Sequence, residues 1–332
     1  MLDEGHSTAA HRQKANLALR PSPAAAKVST RGWFRFKRYR MLMLMMVPTI
    51  VIFIINAYLP MFGLAIAFKQ INYSDGIWGS PWVGFSNFEF LFSGSDAWLI
   101  TRNTVLYNLV FIVSGLLFAV TIAVLMNEIR QKWFSTVYQT IFIMPNFMSM
   151  VILAYIVYAF LSPTYGYLND WFVNMGWTVP NFYGETKWWP YILPLANLWK
   201  GLGMSTVVYL AAIAGISEEY YEAAVIDGAS KWQQIRHITL PLLAPTMIVL
   251  TVLAVGNIFR SDFGLFYQVP MNSSILYPVT DTIDTYVYRS LIQLNDLGMS
   301  SAATFYQSAV GLLMVIITNG IIRKVNKDHA LF

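Results

Sequence analysis

Long apolar runs constrain this sequence more than any other feature. The stretch TVLYNLVFIVSGLLFAVTIAVLM (residues 104–126) contains no charged residue, and about 20 apolar residues are enough for a helix to cross the hydrocarbon core of a bilayer. Several such runs occur, and only 12% of all residues are charged, about half the share expected in a soluble domain. The short alternating segments of a membrane β-barrel are absent. The sequence therefore predicts an all-α integral membrane protein that crosses the bilayer several times.

Six transmembrane helices are predicted within a membrane domain that covers residues 41–323. Their approximate limits are residues 41–68, 104–127, 135–162, 190–216, 241–264 and 301–323. A polar and basic N-terminal tail (residues 1–40) precedes them, and a short tail (residues 324–332) follows.

The distribution of basic residues predicts the orientation in the membrane. With an inside N-terminus, most of the 22 Lys and Arg residues fall on cytoplasmic segments, whereas the 17 Asp and Glu residues divide about evenly. Positive charge sets orientation and acidic residues contribute little. We therefore expect both termini to be cytoplasmic, together with residues 217–240, which we call the polar loop.

Local capping rules predict two short helices in the polar loop. Ser217 is suited to cap the first helix, and Gly228 suits the left-handed position that ends it. Ser230 and Gln233 have the spacing of a capping box, so a second helix should begin next. Leu240 precedes Pro241 and is expected to leave helical geometry before the fifth span begins.

The polar loop also carries apolar side chains that need to be covered. Short isolated helices are marginal in water, so packing is required. The residues leave two alternatives open: the chain's own helix ends, or a partner protein. The side chains concerned are Tyr220, Tyr221, Ala223, Ala224, Val225, Ile226, Trp232, Ile235 and Ile238.

The run EAAVIDGASKWQQIRHITLP resembles the cytoplasmic-loop signature of permease subunits of binding-protein-dependent ABC importers. The matching positions are Glu222, Ala223, Ala224, Asp227, Gly228, Ala229, Ile238, Leu240 and Pro241. Ile235 stands where carbohydrate-importer relatives often have Phe, which keeps an apolar contact. The third span contains IMPNFMSMVI, which is similar to permeases for oligosaccharides and polysaccharide fragments, alginate importers above all.

This resemblance implies a type I ABC importer permease of a bacterial inner membrane. The polar loop would contain a coupling helix that docks on a cytoplasmic ATPase, with Glu222 pairing with a basic group and the two alanines allowing close approach. Gly228 would shape the turn, and Leu240 and Pro241 would transmit movement to the fifth span. The implied partners are two ATPase subunits, a second and related permease chain, a periplasmic binding protein, an oligosaccharide such as an alginate fragment, and the lipid bilayer. Transport would proceed by alternating access.

The chain itself lacks the residues for ATP hydrolysis. No G-x-x-x-x-G-K-[ST] phosphate loop occurs in the sequence, so we expect a non-catalytic subunit without its own cofactor, with ATP and Mg bound by the partner ATPase. The four His residues lack metal-ligand spacing, and the external acids Asp281, Asp284 and Asp296 are interpreted as polar loop residues rather than a calcium site. Neither a metal nor a nucleic acid is expected to bind.

Polar residues inside predicted spans are candidates for the solute pathway, because ionisable groups in a membrane are costly. Lys200 and Arg260 could meet an acidic sugar, asparagines could bond to hydroxyl groups, and aromatic rings could stack on sugar rings. The candidates are Asn197, Trp199, Lys200, Tyr209, Asn257, Phe259 and Arg260. The alternatives are that Lys200 lies at an interface and that Arg260 pairs with Asp262.

A stand-alone secondary transporter or channel for a small solute is the alternative function. It usually requires an ion-coupling carboxylate within a span, and only Asp262 lies near one. A membrane-embedded transferase is a further alternative, but it would need acids or His clustered at one membrane face.

Overall fold

The structure is a computed structural model that describes residues 32–129 and 131–325. Nearly all of the described chain is helical, and it contains no β-strand beyond one isolated bridge between Lys69 and Trp82. The α-helices are α1 (Gly32–Phe53), α2 (Gly76–Gly79), α3 (Ser86–Ser93), α4 (Asp96–Asn127), α5 (Lys132–Ile143), α6 (Met150–Leu161), α7 (Tyr167–Asn174), α8 (Trp189–Ala214), α9 (Glu218–Ile226), α10 (Lys231–Gln234), α11 (Leu240–Gly256), α12 (Phe263–Gln268), α13 (Tyr277–Thr280), α14 (Ile283–Ile292) and α15 (Leu297–Val325). Wider π turns occupy Ile54–Tyr58 and Ile235–Thr239, and 3-10 segments occupy Leu59–Phe68, Met144–Phe147, Thr186–Trp188 and Ser274–Leu276.

Four helices of the described chain are long and apolar enough to cross a membrane. They are Tyr39–Phe68, Asp96–Asn127, Lys231–Gly256 and Leu297–Gly320. Two bent helix pairs raise the number to six if each pair is one span: Trp133–Phe147 with Met150–Leu161, and Thr186–Ala214 with Glu218–Ile226. The all-α membrane fold predicted from the sequence is confirmed. Residues 32–40 of the predicted N-terminal tail belong to α1 and residues 324–325 of the predicted C-terminal tail to α15, and the rest of both tails lies outside the described residues.

The described chain falls into two units that divide between Met61 and Phe62. The described part of the first unit consists of α1, the π turn that follows it and the first three residues of the next 3-10 segment. Its apolar side chains from Met41 to Met61 are mostly exposed, which suits a surface covered by lipid or by another protein.

Helix α4 and helix α8 form the centre of the second unit. Small and branched side chains of α4 pack against Tyr209 and Ile213 of α8 and Leu243 of α11. Their α4 members are Ala119, Val120, Ala123 and Val124. Small residues let helix backbones approach closely, and the resulting van der Waals packing is one of the forces that associate helices in a membrane.

The third predicted span is sharply broken. Its two halves, Trp133–Phe147 and Met150–Leu161, meet at 100°. Pro145 lies in the 3-10 segment before the break, and the Ser149 hydroxyl accepts a hydrogen bond from the N–H of Ile152 (3.3 Å) to begin α6. Pro145 lacks an N–H and Ser149 favours a helix N-cap, so both residues act against a continuous helix.

The fifth span differs from its prediction at both ends. Its helix ends at Gly256 rather than near residue 264, and Asp262 caps α12 instead, since its Oδ1 accepts from the N–H of Leu265 (3.1 Å). At the start, Leu240 remains helical (φ −64°, ψ −44°), contrary to the expectation from Pro241. A π turn directly before Leu240 widens the helix where the proline removes a hydrogen bond, as the π turn before Leu59 and Pro60 also does.

Candidate functional sites: the polar loop and the Arg260 cavity

The first helix of the polar loop begins and ends as its sequence predicts. The Ser217 hydroxyl accepts from the N–H of Glu219 (3.4 Å), and Gly228 has φ +77°. The N–H of Ala229 then donates to the carbonyl of Ala224 (2.8 Å), and the N–H of Gly228 to that of Val225 (3.1 Å). These two bonds are those of a Schellman motif, which stops α9 and turns the chain.

The second helix begins with the predicted capping box. The N–H of Ser230 donates to Gln233 Oε1 (2.7 Å), and the Ser230 hydroxyl accepts from the N–H of Gln233 (3.4 Å). From this point α10, the π turn and α11 follow without a break. The second short helix is therefore the start of the fifth span, so a displacement of the polar loop acts directly on a membrane helix.

Several contacts brace the polar loop against the rest of the chain. The Tyr221 and Thr239 hydroxyls lie 2.9 Å apart, and Lys231 Nζ lies 3.2 Å from a carboxylate oxygen of Glu128 at the end of α4. Ile235 packs against the core between α4, α8 and α11. The chain's own helix ends thus cover some of the apolar side chains of the polar loop.

Other apolar side chains of the polar loop are exposed. Val225 is 61% exposed, Trp232 66% and Ile226 86%. Among the residues of the importer signature, the exposed ones are Glu222, Ala223, Asp227, Gly228 and Pro241, and the half-buried ones are Ala224, Ala229, Ile238 and Leu240. Exposed aliphatic and aromatic side chains beside exposed carboxylates are typical of a protein docking surface.

Lys200 is not free to meet a solute. Its ammonium group donates to the main-chain carbonyls of Asn146 (2.9 Å) and Met148 (2.7 Å), at the break in the third span. Nearby, a Cβ atom on Gly203 would lie 2.0 Å from the carbonyl oxygen of Phe142, so only glycine allows this approach. Lys200 therefore lies at an interface between helices, as the alternative interpretation of the sequence expected.

The other predicted pathway residues lie in different places. Tyr209 is 4% exposed and borders an apolar cavity of about 420 Å³ between α4, α8 and α11. Trp199 borders a separate apolar cavity of about 520 Å³ between α6, α7 and α8, and half-buried Asn197 lies on the same helix α8. Phe259 borders the polar cavity described next, but it is 5% exposed and packs in the core with Ile100 and Tyr286, so its ring is not available for sugar stacking.

Asn257 and Arg260 are brought together at a polar cavity of about 290 Å³, which we call the Arg260 cavity. It lies between the turn that follows α11 and one face of α15, which contributes Gln307, Ser308 and Gly311. The guanidinium group of Arg260 is exposed and makes no hydrogen bond or ion pair with the described residues, Asp262 included. An unpaired cation beside amide and hydroxyl groups is able to bind an anionic, hydroxyl-rich solute.

The turn that carries Arg260 is held by residues that sequence reasoning missed. The Asn108 amide donates to the carbonyls of Ile258 (3.0 Å) and Arg260 (2.9 Å), and the Gln307 amide donates to that of Phe259 (2.8 Å). The one available signal was an asparagine inside an otherwise apolar span, which needs hydrogen-bond partners in a membrane.

The three acids that the sequence predicts to be external all have partners within the described chain. Asp281 forms a buried ion pair with Arg289, whose guanidinium lies over the Tyr277 ring. Burial raises the pKa of Asp281, and the hydrogen bonds from Arg289 and Thr285 act in the opposite direction. Asp284 accepts from Ser261 and Gln307, and Asp296 caps α15 at Met299. No group of three potential metal ligands occurs among the described residues.

Comparison with known proteins identifies the family. Residues 111–327 match the family described as "Binding-protein-dependent transport system inner membrane component". The chain belongs to this family. The importer permease predicted from the polar loop is therefore confirmed.

Two curated relatives of this inner membrane component come from Bacillus subtilis (strain 168). Protein LplB is 32% identical over 313 residues, which make up 93% of this chain and 98% of LplB. The polygalacturonan/rhamnogalacturonan transport system permease protein YteP is 32% identical over 287 residues, 86% of this chain and 89% of YteP.

A solved structure shares the fold of this inner membrane component. It is a bacterial ABC transporter involved in the import of the acidic polysaccharide alginate, and one of its chains is similar with a TM-score of 0.81 and 34% identity. The similarity covers 89% of this chain and 99% of that chain. A second structure of a bacterial alginate ABC transporter, in complex with a pentasaccharide-bound periplasmic protein, is equally similar.

Proposed function

We propose that this permease passes an acidic oligosaccharide, such as an alginate fragment, from a periplasmic binding protein into the cytoplasm by alternating access. The observation that carries the proposal is the unpaired Arg260 guanidinium at a polar cavity. Two relatives support an acidic solute, since YteP is described as a polygalacturonan permease and the structural neighbour as an alginate importer.

The energy for transport comes from partner subunits in this proposal. Two cytoplasmic ATPases bind ATP and Mg, and one of them docks on the exposed surface formed by Val225, Ile226 and Trp232 beside Glu222 and Asp227. Closure of the ATPases pulls on the polar loop, which continues directly into the fifth span. A second, related permease chain completes the pathway. Both termini and the polar loop are cytoplasmic, as the distribution of basic residues favours.

Co-purification from the inner membrane tests the partner set. We expect the tagged chain to bring with it an ATPase subunit and a second permease, and the reconstituted complex to take up acidic oligosaccharide only with ATP and binding protein. Uptake by the chain alone, driven by an ion gradient, would instead establish a stand-alone transporter.

A pair of variants makes the same experiment specific for the docking surface. Ile226→Glu places a charge on the exposed apolar surface of the polar loop, and we expect the ATPase to be lost from the complex. Trp177→Glu changes an exposed apolar residue (56% exposed) in another segment and should leave the ATPase bound. Equal recovery of ATPase with both variants would contradict the proposed docking surface.

A further inference from the structure

We propose that Asn108 is a positioning residue for solute recognition: it holds the turn that carries Arg260 and so determines where the guanidinium group lies in the cavity. The inference rests on the proposed function, because it takes the Arg260 cavity as the place where an acidic sugar is recognised. Asn108 lies on α4, about 150 residues from the turn in sequence.

The end of α11 leaves main-chain carbonyls that need partners. After the helix, turn hydrogen bonds are donated by the N–H groups of Asn257, Ile258 and Arg260 to the carbonyls of Ala254, Val255 and Asn257. The carbonyls of Ile258 and Arg260 lie beyond the helix, where no further turn supplies donors. The Asn108 amide nitrogen lies within hydrogen-bond distance of both carbonyl oxygens and of the carbonyl oxygen of Thr104 (2.9 Å) in its own helix, so its two N–H groups are shared among three acceptors.

Two other helices hold the same turn from different directions. Gln307 of α15 donates to the carbonyl of Phe259 (2.8 Å), and Asp284 of α14 accepts from the N–H of Ser261 (2.7 Å). Four consecutive residues, 258–261, therefore have a main-chain group bonded to a side chain of a separate helix. A fixed backbone that carries an unpaired side chain is the arrangement of a preorganised binding group.

Of the three side chains that bond to the main chain of the turn, that of Asn108 is the most suitable for substitution, because it lies outside the cavity. Gln307 borders the cavity itself, and Asp284 also bonds to Gln307 and to the Ser261 hydroxyl. Asn108 does not border the cavity. Its substitution therefore changes the position of Arg260 without removing a group that the solute could contact.

A spin label tests whether Asn108 holds the turn. The chain contains no cysteine, so Asn257→Cys gives a single labelling site at an exposed position of the turn. Asn108→Leu keeps the side-chain size and removes the donor, and Asn108→Ser is a milder second variant whose hydroxyl is too short to reach both carbonyls. In the reconstituted complex we expect both variants to increase the mobility of the label.

Asn103 provides a matched control on the same helix. Its amide donates to the carbonyls of Pro278 (3.3 Å) and Asp281 (2.9 Å), away from the turn. Asn103→Leu should leave the label at position 257 as immobile as in the parent. If the Asn108 variants leave the spectrum unchanged, or change it no more than Asn103→Leu does, the positioning role is wrong.

Transport kinetics test the consequence for recognition. With alginate pentasaccharide as the acidic probe, Asn108→Leu should raise KM about tenfold, the factor that corresponds to about 1.4 kcal/mol, with a smaller change in the maximal rate. A mobile label with an unchanged KM would overturn the recognition role. A parent complex that takes up no oligosaccharide would remove the proposed function and the recognition role with it, while the label still decides whether Asn108 holds the turn.

Discussion

Gly228 occupies the most demanding backbone position in the polar loop. Its φ of +77° lies in the left-handed region, and an added Cβ atom would meet no other atom within 4 Å. A larger residue is therefore disfavoured by backbone conformation alone and not by packing. Because the turn at Gly228 sets the direction of α9 relative to the start of the fifth span, strain there affects the surface that we propose docks on the ATPase.

Gly228→Ala is expected to weaken coupling between ATP hydrolysis and transport. An L-residue in left-handed geometry costs about 1–2 kcal/mol, which favours a rearranged turn. The number of sugar molecules imported per ATP hydrolysed should fall. Gly176→Ala is the control, since Gly176 has φ +74° and similarly open surroundings in a different loop. If both variants lower this ratio equally, the effect is general strain and not coupling.

Residues whose partners are close in sequence were predictable, and those with distant partners were not. Gly228 and the Ser230–Gln233 capping box follow local rules, and the structure confirms both. The carbonyls that Lys200 binds lie 52 and 54 residues away. A lysine in an apolar span indicates a costly group that needs a partner, but the partner depends on how the helices pack.

At the scale of the helices, the breaks in the third and fifth spans meet. A Cβ atom on Gly264, just inside α12, would lie 2.6 Å from Cγ of Met150, the first residue of α6. Hydropathy predicts continuous spans because it counts apolar residues and ignores which backbone groups find donors outside the helix. Here Lys200 supplies the donors for one break and Asn108 those for the other. Irregular backbone is tolerated in a membrane where protein groups satisfy it in this way.

Lys200→Met should destabilise the break in the third span. It keeps the apolar stem but leaves the carbonyls of Asn146 and Met148 without their donor, and each buried unsatisfied group costs about 1–3 kcal/mol. Lys187→Met, just before the same helix α8, is the control because its pair with Glu185 is exposed to solvent and contributes little to stability. Denaturant unfolding of the two variants in detergent should differ clearly. Similar midpoints would show that the Lys200 contacts are weak.

At the scale of the whole molecule, the apolar segments could be predicted but not their shape. Length and hydropathy alone indicate six apolar segments, and the described chain has four unbroken membrane-length helices and two bent pairs. The predicted solute pathway is more divided than expected. Tyr209 and Trp199 border two separate apolar cavities, whereas Asn257, Arg260 and the buried Phe259 border a third together with polar groups of α15. Which face of a span a side chain occupies depends on the helices around it, and periodicity was too weak to determine this in uniformly apolar helices.

The sequence predicts solute contact for both Lys200 and Arg260, but substitutions of these two residues should have different effects on uptake by the assembled transporter. Arg260→Gln removes the positive charge but keeps a hydrogen-bonding side chain, so uptake of alginate pentasaccharide should fall about tenfold or more, as expected for losing one charge-assisted hydrogen bond. The carboxyl-reduced form of the same pentasaccharide should be affected much less. Lys200→Gln should lower uptake of both sugars in the same proportion, since its ammonium holds the chain and not the solute. Equal loss for both sugars in Arg260→Gln would show that Arg260 does not recognise the acidic group.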